Sequence, residues 1–462
     1  MGQDTPLPPP GGGSADTTPV PRLRAGVDAE EVDSRDGEQR ICLYDPQDPR
    51  IEQVVISRAG LLLASLLDGE RTAAAVCAAF VLRTGSTVAP SDLAAFVQQL
   101  DEASLLDSPR YQARQRRMAD EFRALPARPA VYAGGAYPGD PLALRQYLDA
   151  RYTMPGGPGS PPGSATRPTP RALIAPHIDL HRGGHSYAWG YRALAECEPA
   201  ELYILLGTSH QPMRRAFAAT RLPYDTPLGL VTGDTDFLER FQQRAPIDIY
   251  ESEMAHRTEH ALEFQAVYLR YLGHTGGAPP MGDGRDAATA GSSGPAGVVS
   301  ILCVPPYRVP DGGTPRDDAA TEDVLQALAA TVAEDGRRIC FIAGADFAHV
   351  GPQFGDPSPV DERFADHVRA GDLAMLERVE AGDPDGFYRQ VVQEPAGPGM
   401  SGDSMAVGGP RRICGLAPMY ALLRLIEGQR ETAIPGTTVH YDQWIDDDGA
   451  GSVTFGCVLF DR

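Results

Sequence analysis

The sequence predicts an α/β protein in which helices flank a mostly parallel central sheet, with a small helical module before it. From about residue 128 onward, short apolar runs alternate with amphipathic helical segments, which is typical of α/β folds. Several of these runs are continuous, as in ELYILLGTSH and RRICFIAG. Strands that are buried on both faces of a parallel sheet have this pattern.

Length and composition set outer limits on the function. At 462 residues, with 42% hydrophobic and 22% charged residues, the chain has enough apolar material for two folded units. A formal net charge of −21 opposes binding to nucleic-acid phosphates, which requires a face rich in Lys and Arg. The start of the sequence lacks the apolar core of a secretory signal, and no apolar run reaches the ~18 residues of a membrane span. We therefore expect a cytoplasmic protein that binds neither nucleic acid nor membrane.

The N-terminal part is predicted to contain a tail and a small module. Residues 1–38 are rich in Pro, Gly, Asp and Thr and are predicted to be disordered, because this composition cannot repay the entropy of ordering. Residues 39–110 are predicted to form two short strands and three helices, with Thr72 and Ser91 as N-caps of the second and third. A charged connector over residues 111–127 follows.

The module carries a resemblance of its own. The strings LLDGERTAAAVCAAF and PSDLAAFVQQLDEASLL are similar to those of PqqD-like winged-helix modules. The resemblance implies a binding site for a peptide. The alternative is a generic helical cap.

Residues 128–462 are predicted to supply the large sheet. Its strands are predicted at the apolar runs RALIAPH, ELYILLGTSH, VVSILCVPPY, RRICFIAGADFAH and SVTFGCVLF. Segments rich in Gly and Pro interrupt this pattern, and we expect flexible surface loops near residues 154–170, 274–297 and 308–320. The seven cysteines are scattered without a CxxC pair. Most are therefore expected to be core thiols rather than ligands of a zinc ribbon or an iron–sulfur cluster.

Polar residues stand where the apolar strands end. His177, His210, Asp346 and His349 each follow such a run, and the carboxyl ends of parallel strands meet at one edge of a sheet. Cys414 opens the predicted helix CGLAPMYALLRLIEG, where the helix dipole would favour a thiolate. Two imidazoles and one thiolate suit a divalent metal or copper(I).

These placements assign roles to the five residues. We expect His177, His210 and Cys414 to hold a metal ion. Asp346 and His349 are expected to orient one another, because their turn brings the side chains close, or to act as acid and base beside the ion.

The string TEHALEFQAVYL adds further polar groups to the predicted site. Glu259 and Glu263 are spaced to share one face of a helix. Glu259 and His260 are assigned to the catalytic machinery around the metal ligands, in a supporting position.

Structural roles can explain several other residues that have reactive side chains. His181 and His185 follow the first candidate ligand at helical spacing, but the two glycines between them are expected to break a helix. Asp179 suits a cap or turn as well as a functional acid. Ser209 has no GxSxG elbow around it, so capping is the commoner role.

The larger unit resembles a known family. The strings APHIDLHRGG, LLGTSH, EHALEFQ, AGADFAHVG and ICGLAPM occur in this order, between RPAVYAGGAYPGD and a late YDQW. Together they are similar to the Memo family, whose bacterial members are also called AmmeMemoRadiSam system protein B.

The resemblance implies a fold similar to the class III extradiol dioxygenases and a metal pocket of His177, His210 and Cys414. It also implies that Asp346 and His349 correspond to the family's DFxH string, that the metal is iron or copper, and that an AMMECR-type protein and a radical SAM enzyme are partners. The dioxygenases hold iron with two His and one carboxylate. Because Cys414 stands in the third position here, ring cleavage is in doubt.

Three functions follow from these expectations. The first is a metal-dependent redox or hydrolytic enzyme. The second is a non-catalytic metal-handling or scaffold protein whose N-terminal module binds a peptide or a partner enzyme. The third, a serine hydrolase that uses Ser209, is disfavoured by the missing elbow motif.

Overall fold

The computed structural model describes residues 17–33, 39–46, 51–160, 165–275, 296–305, 309–401, 408–427 and 434–461. Parts of the predicted tail and of the predicted loops lie outside the described residues, namely 1–16, 34–38, 161–164, 276–295 and 306–308. The chain divides into two units, Met1–Glu121 and Phe122–Arg462.

The first unit combines a small antiparallel sheet with helices. Its strands pair in the order β1 (Asp28–Asp33), β2 (Gln39–Tyr44) and β3 (Val54–Ile56). Its helices are α1 (Arg58–Ser65), α2 (Ala73–Thr84), α3 (Pro90–Glu102) and α4 (Pro109–Arg123). Buried side chains of β2, α1, α2 and α3, including Leu43, Leu63, Val76 and Leu100, form one core.

Most elements of this unit were predicted, with three corrections. The two strands and three helices of residues 39–110 are confirmed, and the Thr72 side chain caps α2 by accepting from the N–H of Ala75. The prediction of disorder over residues 1–38 is wrong for residues 28–33, which form β1. Ser91 is not the cap of α3, since the N-cap is Ala89, which makes no side-chain cap hydrogen bond. The connector is helical as far as Arg123.

The second unit holds the large sheet. Its strands are β4 (Ala172–Ala175), β5 (Leu202–Thr208), β6 (Phe217–Thr220), β7 (Tyr224–Thr226), β8 (Gly229–Val231), β9 (Gly297–Cys303), β10 (Ile339–Gly344), β11 (His349–Val350), β12 (Gly436–Ile445) and β13 (Ser452–Phe460). Its helices are α5 (Pro141–Thr153), α6 (Leu180–Ala195), α7 (Thr235–Arg244), α8 (Glu263–Tyr271), α9 (Ala319–Asp335), α10 (Glu362–Glu380), α11 (Pro384–Val392) and α12 (Leu416–Glu427).

The sheet has a parallel centre and antiparallel margins. Its order is β11-β13-β4-β10-β5-β9-β6, with β12 paired to β13. Strands β4, β10, β5 and β9 run parallel, as predicted. Strand β13 is antiparallel to β4, and β6 is antiparallel to β9. Strands β7 and β8 form a separate hairpin.

Helices cover both faces of this sheet, so its strands are buried on both sides. Along β4, Ala172 and Ile174 belong to one hydrophobic core and Leu173 to the other. Helices α7 and α9 to α12 contribute to the first core, and α5, α6 and α8 to the second. This alternation follows from the period of two along a strand, and it explains the continuous apolar runs.

The core also accounts for most cysteines. Cys42, Cys197, Cys303, Cys340 and Cys457 are buried free thiols, as predicted. Among the described helices, none combines the length and the apolar character that crossing a bilayer requires.

One expectation about the glycine-rich segments is wrong, and another is only partly right. Helix α6 runs through Gly183 and Gly184 without a break, because both residues lie in close packing. A Cβ on Gly184 would come within 2.5 Å of Arg151 Cδ. The loop expected near residues 308–320 is partly regular, since Thr314 and Asp317 form a capping box around a 3-10 helix and α9 starts at Ala319.

Candidate metal site

The strand order brings three predicted residues to one edge of the sheet. Gly344, the last residue of β10, pairs with Ala175 of β4 on one side and Gly207 of β5 on the other. His177, His210 and Asp346 follow these positions directly. Helix α12, which packs against β5 and β10, brings Cys414 to the same edge.

His177 is held in one orientation by the chain around it. Its backbone N–H donates to Asp346 Oδ1 at 2.8 Å, and its Nδ1 lies 3.0 Å from the carbonyl of Gly344. Because a carbonyl only accepts, Nδ1 carries the proton of the neutral ring and Nε2 keeps a free lone pair. Burial, and then the nearby His210, lower the pKa of His177 to about 4. The ring is therefore neutral at neutral pH.

Glu259 orients His210 through hydrogen bonds to its backbone and its ring. The backbone N–H of His210 donates to Glu259 Oε2 at 2.7 Å, and the ring Nδ1 lies 3.0 Å from Oε1. Burial alone would lower the pKa of His210, but the hydrogen bond and charge of Glu259 raise it. Burial likewise opposes ionisation of Glu259, yet the bond and charge of His210 lower its pKa to about 2. Glu259 is therefore an anion that leaves Nε2 of His210 available.

Three imidazoles converge here, rather than the predicted two. The ligand atoms of His177, His210 and His260 all lie within 4.8 Å of one another. The His210 and His260 rings stack with centroids 4.7 Å apart, and the His177 ring is perpendicular to His260 at 5.4 Å. Burial lowers the pKa of His260 to about 4. The string EHALEFQ indicated that Glu259 and His260 belong to the site. It did not indicate that the His260 ring lies next to His177.

Cys414 lies next to His177. Its Sγ is 3.2 Å from His177 Nε2, and its backbone carbonyl accepts a 3.0 Å hydrogen bond from Thr208 Oγ1. The neighbouring Gly415 allows this approach, because a Cβ there would come within 2.5 Å of the Asp346 carbonyl.

The thiolate that we expected is not favoured by this environment. Helix α12 begins only at Leu416, two residues after Cys414. Burial, and then the charge of Asp346, raise the pKa of the Cys414 thiol. A metal would therefore have to displace the thiol proton on binding.

Asp346 and His349 lie at the site, but their hydrogen bonds go elsewhere than predicted. Asp346 accepts from the backbone of His177, and its Oδ2 is 3.7 Å from His177 Nε2. Burial raises the pKa of Asp346. The His349 Nδ1 lies 3.2 Å from the Phe347 carbonyl, and burial lowers the pKa of His349 to about 4. Residues 345–348 form neither helix nor strand, and His349 begins the short strand β11, so the two side chains have different hydrogen-bond partners.

Glu263 has a structural role that the sequence did not indicate. Glu259 ends a 3-10 helix over Glu253–Thr258 and is itself extended, whereas Glu263 begins α8. The two carboxylates therefore do not share a helix face. Glu263 is buried and ion-paired with buried Arg128, whose guanidinium also donates to the carbonyl of Glu259 at 2.6 Å. This pair fixes the backbone that carries Glu259 and His260.

The remaining residues named from the sequence have ordinary partners. Asp179 caps α6 by accepting from the N–H groups of His181 and Arg182. Ser209 Oγ donates to the Gln211 carbonyl at 2.9 Å. His181 lies 3.1 Å from the Tyr147 hydroxyl.

The second unit can be compared with known proteins. A family model described as Memo-like protein matches residues 128–281 and 314–456, more than half of the chain. The chain belongs to the Memo family. A MEMO1 family protein of Aquifex aeolicus is 26% identical over 321 residues, covering 70% of this chain and 75% of the relative. A MEMO1 family protein of Thermus thermophilus is 27% identical over 304 residues, covering 66% of this chain and 78% of the relative.

The Memo match contains the whole candidate site. His177, His210 and His260 fall in its first segment, and Asp346 and Cys414 in its second. The unit Met1–Glu121 lies outside the match.

Proposed function

We propose that this Memo family protein binds a transition-metal ion through His177, His210 and Cys414, and that the ion is iron or copper. The observation that carries the proposal is the 3.2 Å distance between Cys414 Sγ and His177 Nε2, within a cluster of three imidazoles. Imidazole suits iron and copper, and a thiolate adds a preference for soft ions such as copper(I).

The surrounding groups fit such an ion. Metal-binding imidazoles commonly donate their second ring N–H to a carboxylate or a carbonyl, which fixes the tautomer. His210 has Glu259 in this place, and His177 has the Gly344 carbonyl. Both leave Nε2 as the ligand atom. A bound iron or copper ion would supply redox or Lewis-acid chemistry.

Two residues beside the ligands support a redox enzyme. We propose a reaction related to that of the dioxygenases whose fold the Memo sequence pattern resembles, with Cys414 in place of the carboxylate ligand. His349 is a neutral ring whose Nδ1 is engaged by the Phe347 carbonyl, so its Nε2 would accept a proton from a substrate. Asp346, buried beside His177, would hold a proton for return.

Metal content tests the proposal. Protein purified without oxygen should contain close to one iron or copper ion per chain, and His177→Ala and Cys414→Ala should each remove most of it. His181→Ala is the matched control, since that ring lies on α6 and contacts Tyr147. A wild-type protein without bound metal, or variants that retain it, would contradict the proposal.

A second candidate function is non-catalytic, with the first unit as the partner-binding element. Three large apolar side chains are exposed in this unit, Leu82 at 87%, Val55 at 52% and Val81 at 36%, and Val55 lies on the edge strand β3. An edge strand offers backbone groups to an extended peptide. The proposed ligand is a peptide or an enzyme of the AMMECR or radical SAM type.

Capture of such a candidate by the full chain tests this function. Leu82→Asp and Val55→Asp should abolish the capture, while Leu142→Asp, an exposed residue of α5, should not.

A further inference from the structure

The candidate site offers four donors rather than three. The ligand atoms of His177, His210 and His260 lie within 4.8 Å of one another, and Cys414 Sγ lies 3.2 Å from His177 Nε2. His177 therefore belongs to two overlapping donor sets. We call these the thiol set, which is Cys414 with His177, and the imidazole set, which is the three histidines.

His260 is built into the second set by the same carboxylate that holds His210. Glu259 Oε1 accepts from the backbone N–H of His260 at 2.9 Å and lies 3.0 Å from Nδ1 of His210. The two rings stack with an interplanar angle of 19°, and the edge of Tyr132 closes over His260 with centroids 5.6 Å apart. The His260 ring is therefore confined next to the other two imidazoles.

The two donor sets differ in chemical softness. A thiolate is a soft ligand that selects copper(I), whereas a purely nitrogenous set suits copper(II), which favours N and O donors. One ion in this pocket would thus find a different preferred set in each oxidation state, with His177 common to both.

On the basis of the proposed metal site, we infer that the pocket binds the two oxidation states of copper through different ligands. Copper(I) is held by Cys414 and His177, with His210 as the third ligand of the proposed metal site. Copper(II) is held by His177, His210 and His260. His260 is accordingly a metal ligand in one state, rather than only a supporting or acid–base residue.

Loading the full metal-free chain separately with copper(I) under argon and with copper(II) tests the inference. Affinities are measured by competition with chromophoric chelators, the copper(II) ligands by the nitrogen couplings in electron paramagnetic resonance, and the copper(I) ligands by X-ray absorption. The wild type should show nitrogen ligands without sulfur for copper(II), and a sulfur ligand for copper(I).

Two variants separate the donor sets. His260→Phe keeps an aromatic ring against His210 and should lower the copper(II) affinity at least about ten-fold and remove one nitrogen coupling, because losing a ligand should cost no less than losing a supporting group. Its copper(I) affinity should change by less than about three-fold. Cys414→Ser should show the reverse pattern and lose the copper–sulfur signal. His181→Asn should change neither affinity.

The outcomes distinguish this inference from the proposed function. If His260→Phe leaves the copper(II) affinity unchanged, if it weakens both oxidation states alike, or if sulfur ligates copper(II) in the wild type, the inference is wrong and the metal site stands. If the wild type binds neither form of copper nor iron, the proposed function itself fails. Circular dichroism of each metal-free variant checks that the fold is retained.

Discussion

Glu259 holds the candidate metal-binding residues in place through its hydrogen bonds. Its carboxylate accepts from the backbone N–H groups of His210, His260 and Ala261, as well as from the His210 ring. A buried acid with this many donors is an anion at neutral pH, in keeping with its pKa of about 2. The arrangement predicts that the ligand geometry depends on the charge of Glu259 and not only on its size.

Glu259→Gln is therefore expected to weaken metal binding. The amide has one acceptor oxygen and would turn its NH₂ group toward a backbone or ring donor. Loss of such a supporting partner typically costs about 10–100-fold in metal affinity. The measurement is a copper(II) competition titration, and the control is Glu251→Gln, which removes an exposed carboxylate paired with Arg215. Equal affinities of Glu259→Gln and wild type would refute this role.

The sequence could place some site residues and not others, for a physical reason. His177, His210 and Asp346 each follow a buried parallel strand, so the position of the strand end gives the position of the residue. His260 follows an irregular 3-10 segment, in which helical spacing does not apply. The burial of Cys414 could not be inferred from its position in the sequence, and this burial raises the thiol pKa and keeps the thiol protonated.

The secondary-structure elements were predictable where hydrophobic burial is complete. Strands β5 and β10 are buried at every residue and appear as unbroken apolar runs. Strand β12 is half-buried along most of its length, and its sequence GTTVHYDQWI has neither a continuous run nor a clean alternation. Strand β12 is held by its hairpin with β13, in which Ile445 pairs with Ser452, and by side chains distant in sequence such as Asp372, which accepts from the Tyr441 hydroxyl.

Helix α3 provides a test of the element boundaries. Its N-cap, Ala89, is exposed and extended and has no side-chain cap. Ala89→Asp should add a hydrogen bond to a free N–H of the first turn and stabilise the helix by about 0.5–2 kcal/mol. Ser91→Ala should change stability by less than about 0.5 kcal/mol, because Ser91 lies inside the helix and is exposed. Hydrogen exchange of the α3 amides in the full chain measures both. Faster hydrogen exchange of the α3 amides in Ser91→Ala would show that Ser91 is the N-cap after all.

Two glycines let the segment before α8 lie on the sheet. Gly207 and Gly344 are in register on β5 and β10. A Cβ on Gly344 would meet the Ala261 carbonyl at 2.6 Å, and one on Gly207 would meet Leu262 Cδ2 at 2.6 Å. Because Gly207 and Gly344 have no side chains, the segment that carries His260 can approach the ends of β5 and β10.

Gly344→Ala should accordingly damage both stability and metal binding. The clash is with a backbone atom that cannot rotate away, so we expect a loss of about 1–3 kcal/mol in the free energy of unfolding. A displaced His260 should also lower the copper(II) affinity. Gly139→Ala is the control, because its nearest neighbour would be 3.6 Å away. Urea unfolding and copper titration of both variants provide the measurement, and wild-type behaviour of Gly344→Ala would disprove the packing argument.

At the scale of the whole molecule, the histidines make stability depend on pH. All ten lie in the second unit, and burial is the main cause that lowers the pKa to about 4 in six of them. These are His177, His256, His260, His274, His349 and His440. In the unfolded chain each would titrate near its usual value of about 6.5. Between these pH values the unfolded chain binds more protons than the folded one.

The metal-free second unit should therefore lose stability as the pH falls from about 6.5 toward 4. Asp346 and Asp372 oppose this loss, because burial raises their pKa and favours protons on the folded state. The six histidines outnumber the two carboxyl groups, so unfolding should still take up protons on balance in this pH range. The pKa of His210 is raised by Glu259, so this residue acts in the opposite direction to the six buried histidines.

Urea unfolding at a series of pH values, with a chelator present, measures this uptake as the slope of the unfolding free energy against pH. His274→Phe keeps the stacking on Tyr203 and should reduce the uptake by about one proton, because burial lowers the pKa of His274 to about 4. A slope near zero in the wild type would mean that these histidines are protonated in the folded protein. The imidazoles of the site would then be charged at mildly acidic pH. A metal ion could bind only by displacing a proton from each of its imidazole ligands.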